Sequence, residues 1–182
     1  MPTDEHVRGR VWRNLVVSHS VILGKMEADL RTTTGLTLGQ YDVLLRLHEA
    51  PGNTIRMGDL AELVLVTTSG VTRVVDRLVE SGLVERIRPD NDRRVVTVSM
   101  TPAGKKTLRT ASAIHTRGIA EYFSDLIEPE ELPVLDRFFS RLVTRHTNHS
   151  GACEAHAEHL SITPRTDREK QHGFRIGRLP FR

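Results

Sequence analysis

The stretch from Thr67 to Gly104 constrains the fold of this chain more than any other. It reads TTSGVTRVVDRLVESG, then LVERIRP, then DNDRR, then VVTVSMTPAG. Val71, Val74, Val75 and Leu78 recur at the three-and-four spacing of a buried helical face. The opposite face carries Ser69, Thr72, Arg73, Asp76 and Glu80, with Arg77 at its edge. Thr67 supplies an N-cap oxygen, and Gly82 stands where a left-handed C-terminal cap is wanted. Short hydroxyls allow close approach to base edges or phosphates, and Arg can fork onto guanine. Taken alone, the helix fits two readings, a major-groove reader or an ordinary amphipathic surface helix.

The residues just after the helix separate the two. Leu83–Arg88 and Val95–Met100 are alternating or β-branched runs, and they flank the turn-forming cluster Pro89-Asp90-Asn91-Asp92-Arg93-Arg94. A hairpin tip with adjacent arginines can enter a narrow minor groove, where the negative potential is concentrated. Asp92 can hold one of them through a bidentate pair. A charged tip is often only a solvated edge. Placed directly behind a capped, hydroxyl-and-Arg-faced helix, it reads as a wing beside a helix-turn-helix recognition helix.

Upstream, Thr37-Leu38-Gly39-Gln40 is a capping box opening a helix with Leu38, Tyr41, Leu44, Leu45 and Leu47 apolar. Ala50-Pro51-Gly52-Asn53 ends it. Thr54-Ile55-Arg56 can add a short third strand, and Met57–Leu63 is the first helix of the turn motif. A long helix is expected over Val7–Thr33, with Val11, Leu15, Val16, Ile22, Leu23, Met26 and Leu30 apolar. Thr101-Pro102 opens another running to about Leu126. Glu128-Pro129 starts a last one, striped by Leu132, Leu135, Phe138, Phe139, Leu142 and Val143. These terminal helices carry more apolar surface than one copy can cover, which points to pairing with a second copy.

In this order YDVLLRLHEAPG, RMGDLAELV and the Thr67–Gly104 segment resemble the MarR family of winged-helix transcription regulators, over roughly Glu5 to His146. The wing sequence DRR, a strand and a T-x-x-G helix start are specific in combination. The resemblance implies a mainly α fold with a small β-hairpin, a winged helix-turn-helix domain flanked by N- and C-terminal dimerisation helices. The expected division is a 1–147 domain (core 36–100, dimerisation helices 7–33 and 101–147) and a polar, disordered tail, 148–182. The implied function is ligand-responsive repression by a homodimer on pseudo-palindromic double-stranded DNA. The expected DNA contacts are Thr67, Thr68, Ser69, Thr72, Arg73, Arg77, Asp92, Arg93 and Arg94. A small aromatic or phenolic effector would be held near Trp12, His19, Tyr41, His115 and Arg117. Some urate-responsive members pair a Trp with arginines and a helix aspartate, which invites comparison with Trp12, Arg117 and Asp76. Met57-Gly58-Asp59 stands where Ser or Thr more usually caps the helix.

Charge agrees without proving this. The net formal charge is only +3, but residues 56–109 hold ten Lys/Arg against seven Asp/Glu, whereas residues 121–136 hold six acids and no base. That asymmetry suits a protein that meets DNA with one end. One Cys excludes an internal disulfide framework and points to a reducing cytoplasm. MPTDEHVRGRVW lacks the apolar core of a signal peptide, and no run approaches a membrane span. Peroxide sensing is not expected, since no Cys lies near the chain start. His146, His149, Cys153, His156 and His159 recur every three or four residues, yet match no standard zinc module, so no metal site is expected. No phosphate-binding glycine loop, nucleophile elbow or partnered His/carboxylate constellation is present, which argues against an enzyme. A winged helix serving protein interaction alone is the competing class; it would not need paired arginines at the wing.

Overall fold

Helix α1 spans Asp4–Thr34, three residues longer at its start than the apolar pattern suggests, with Asp4 and Glu5 in its first turn. It ends at Gly35, whose N–H donates to the Arg31 carbonyl and whose φ of 73° turns the chain out of the helix. The computed structural model describes residues 3–64, 68–88 and 95–146, except the side chains of Thr68 and Ser69. The chain divides into two units, Met1–Leu126 and Ile127–Arg182.

In the first unit, α2 (Leu38–Glu49) begins at the expected capping box. The Thr37 hydroxyl accepts from the Gln40 N–H at 3.1 Å, and the Gln40 carboxamide accepts from the Thr37 N–H at 2.9 Å. A 3-10 turn over Pro51–Asn53 leads into β1 (Thr54–Arg56) and α3 (Met57–Leu63). No side chain caps α3; instead the Met57 N–H donates to the Val96 carbonyl at 2.8 Å, so the strand-side backbone satisfies one of its orphan amides. Helix α4 is Thr68–Glu80, β2 is Val84–Ile87 and β3 is Thr97–Met100. The three strands form an antiparallel sheet in the order β1-β3-β2, with Ile55 opposite Val98 and Val84 opposite Met100. Both hairpin strands are shorter than the apolar runs that announce them: Leu83 belongs to the turn after α4, and Val95 and Val96 precede the ladder.

Val98, Leu44, Leu47, Leu60, Val71, Val75, Leu78 and Leu108 are buried in one cluster beneath this sheet. Burial of each such side chain is worth about 1.5–3 kcal/mol. Helix α2 lies at the centre, packed on α1, α4, α5 and the sheet. It therefore buries more than its apolar stripe: Val43 is fully enclosed, and Arg46 is buried too, held by Asp42 at 3.5 Å and Glu49 at 3.1 Å. Two carboxylates of the same helix offset the cost of enclosing that guanidinium.

Helix α5 (Pro102–Tyr122) stops four residues before the expected Leu126, because Phe123 leaves helical geometry and a 3-10 turn, Ser124–Leu126, follows. In the second unit, α6 covers Leu132–His146 and begins one turn after Glu128-Pro129. Glu128–Glu131 form a closed turn, the Glu131 carboxylate accepting from the Glu128 N–H at 3.0 Å, and Glu131 carries the first helical carbonyl. None of the α6 residues is buried within the chain. The tail beyond 146, with Cys153 and the histidines from His149 on, lies outside the described residues. Among the described residues no helix is long and apolar enough to cross a membrane.

Candidate nucleic-acid interface

Helix α4 sorts its residues as the spacing requires. Val71, Val75 and Leu78 are fully buried, while Thr72, Arg73 and Arg77 lie on the other side, all three exposed. The helix ends as expected on Gly82 (φ 68°), whose N–H donates to the Val79 carbonyl and whose successor Leu83 donates to the Leu78 carbonyl, both at 2.9 Å. That pair of bonds satisfies the last turn and aims the chain directly into β2.

Two connections fix α4 relative to its neighbours. The first is to α5. The Thr101 hydroxyl donates toward the Gly82 and Leu83 carbonyls, at 2.8 and 3.0 Å, and accepts from the Gly104 N–H at 3.0 Å. One side chain thus caps α5 and pins it to the turn that ends α4. The second is to the sheet: Nη1 of Arg86 on β2 donates to Oδ1 of Asp76 on α4 at 2.5 Å. Arg86 is not among the site residues expected from the sequence. Strand alternation puts it on the same face as buried Val84, the face turned to α4, and that is the signal available.

Of the expected DNA contacts, Thr72, Arg73 and Arg77 share the outer side of α4. Thr68 and Ser69 lie in its first turn. Thr67, Asp92, Arg93 and Arg94 lie outside the described residues. Arg88, at the described end of the wing, is exposed.

The expected effector set does not converge as a whole. Tyr41 on α2 and His115 on α5 stack with ring centroids 4.6 Å apart and planes at 29°. Burial pushes the Tyr41 phenol up to about 12, against the opposing effect of its hydrogen bond with Ser112. Trp12, 66% exposed, and His19 stand on the open side of α1, and Arg117 is exposed on α5. Asp76 is engaged by Arg86. A further joint ties α1 to α5: the Tyr122 hydroxyl donates to Asp29 at 2.8 Å, which raises the Tyr122 pKa, and Lys25 lies 5.0 Å above its ring. Among the described residues no cluster of His, Cys, Asp and Glu could hold a metal ion.

This geometry matches known proteins. The MarR family model matches residues 34–95, from before α2 to the second expected strand. An uncharacterized HTH-type transcriptional regulator of Bacillus cereus is 30% identical over 139 residues, 76% of this chain and 90% of the relative. The crystal structure of AbsC, a MarR family transcriptional regulator from Streptomyces coelicolor, superposes with a TM-score of 0.70 at 28% identity, covering 80% of this chain and 96% of that one. Sco3205, a MarR family regulator of the same organism solved in complex with DNA, superposes with a TM-score of 0.72 at 25% identity, covering 82% and 92%. The fold, the recognition helix and these likenesses together establish that the chain belongs to the MarR family of winged-helix, DNA-binding transcriptional regulators.

Proposed function

We propose that this regulator acts in the cytoplasm as a homodimeric, ligand-responsive repressor on pseudo-palindromic DNA. Its α4 enters the major groove, and the wing segment 89–94 brings Arg93 and Arg94 to the adjacent minor groove. The observation that carries this reading is the division of α4: one face fully buried, the other presenting Thr72, Arg73 and Arg77. Thr67, Thr68 and Ser69 would add hydroxyl contacts at the same helix start.

Dimerisation is supported by uncovered apolar surface. Val11, Trp12, Val16, Val21 and Leu23 are exposed on α1, and α6, taken by itself, exposes Leu132, Val134, Phe138 and Leu142. A second copy that covers them sets two recognition helices about 34–36 Å apart, one turn of the duplex. A small aromatic or phenolic effector, held by some of Tyr41, His115, Arg117, Trp12 and His19, would shift occupancy by as much as it prefers one helix spacing over another.

The test begins with selection of duplexes from a random pool and a mobility shift on the enriched sequence, with light scattering of the complex. A pseudo-palindromic consensus bound by two copies is expected. Enrichment of no sequence over the pool would remove the operator-reading role of α4. Titration of that complex with benzoate and phenol derivatives tests the effector arm.

A further inference from the structure

We propose that Arg86 is a positioning residue for DNA reading: by holding Asp76 it keeps the recognition helix's carboxylate away from Arg73 and leaves that guanidinium free for the duplex. The inference rests on the reading of α4 as the major-groove helix.

Asp76 lies three residues after Arg73, and on a helix side chains at that spacing are neighbours, with Cβ atoms about 5–6 Å apart. An Asp and an Arg so placed are within reach of an ion pair. Here the carboxylate is drawn instead to Arg86, ten residues on, at 2.5 Å, with the two side chains 46% and 31% exposed. Arg73 is exposed on the same helix, and none of the described ion pairs includes it. A free Asp76 would harm binding twice. It would compete with guanine for the Arg73 fork, and it would set a negative charge beside the phosphates. Arg86 cancels both effects from a strand that need not touch a base.

The experiment uses the full chain and a duplex selected by the wild-type protein from a random pool, with affinities measured at fixed salt. Arg86→Met keeps the aliphatic stem and removes the charge. It should weaken binding about five- to tenfold, the lower part of what loss of one arginine–base fork costs. Asp76→Asn should bind as well as wild type, and the double variant Asp76→Asn/Arg86→Met should return to that level, because the competing carboxylate is gone. Recovery in the double variant is the outcome a mere brace or a direct contact would not give.

Three results overturn the proposal. The first is an Arg86→Met affinity equal to that of the wild type. The second is a double variant as weak as Arg86→Met, which makes Arg86 a DNA contact itself. The third is equal weakening by Asp76→Asn alone, which makes the pair a structural brace. Arg73→Ala is the control for the underlying reading. If it changes nothing, α4 does not read bases through Arg73, and the failure lies there and not in the role of Arg86.

Discussion

Gly104 lies so close against Leu83 that a Cβ added to it would sit 2.1 Å from the Leu83 carbonyl oxygen and 2.9 Å from Cγ of Met100. The first turn of α5 is therefore laid flat on the turn that ends α4, and Thr101 bonds the carbonyls of Gly82 and Leu83 in that same turn. Helices α4 and α5 therefore share one joint.

Gly104→Ala forces that joint apart. Since the obstacle is backbone, relief requires movement of α5 or of the α4–β2 turn, and an overpacking cost of about 1–3 kcal/mol is expected. Urea denaturation should show a lowered midpoint, and operator affinity should fall in the protein that remains folded. A midpoint equal to wild type would mean that the contact is not tight.

Replacing Arg73 by Ala should relax base preference, with a loss of ~1–3 kcal/mol on the selected duplex and a smaller loss on random DNA. Arg94→Ala should weaken both more evenly, as expected for minor-groove and phosphate contacts. Competition binding against random DNA measures the two ratios. Equal losses on both duplexes for Arg73→Ala would argue against base reading.

Tyr41 predicts an alkaline weakness. Its pKa is pushed up to about 12 from an ordinary 10 by burial. Between these values the unfolded chain loses the phenolic proton and the folded chain keeps it, so stability falls as pH rises through that window and is fully present below pH ~10. The loss approaches about 2–3 kcal/mol at its upper end. Chemical denaturation at several alkaline pH values should show a shallower decline for Tyr41→Phe than for the wild type; parallel declines would assign the effect elsewhere.

Charge on the open face of α1 should separate the subunits. Trp12→Glu combined with Val16→Glu places two carboxylates where apolar surface is to be covered, each costly to desolvate. Light scattering should find monomer at concentrations where the wild type is dimeric. A monodisperse wild-type monomer would count decisively against the dimer.

The basic end of the chain gives a different signature. Residues 165–182 hold six Lys/Arg against two Asp/Glu. Each phosphate neutralised steepens the salt dependence by roughly one unit of slope. Removing residues 150–182 should flatten the slope and lower affinity at low salt while sequence preference is kept. An unchanged slope would mean that the tail does not meet the duplex.

Local features of this protein were legible in the sequence because they depend on neighbours a few residues away. The capping box at Thr37 and Gln40, the left-handed Gly82, the Thr101-Pro102 helix start and the buried Val71/Val75/Leu78 face are each set by spacing within one or two turns. Ends were harder to place: the Glu128 carbonyl closes a turn on the Glu131 N–H, so Glu131 carries the first carbonyl of α6, which begins at Leu132, and the hairpin ladder covers only four residues per strand. Other features exist only once distant segments meet. Helix α2 must be surrounded before Arg46 is buried between Asp42 and Glu49. Tyr41 finds His115 only when α2 packs on α5, and Gly104 is required only because Leu83 arrives against it. Asp76 carries the same lesson. Its sequence neighbours offer Arg73, but the chain's return through β2 brings Arg86 within hydrogen-bond reach, and the short-range pairing gives way to the contact that the packed sheet holds in place.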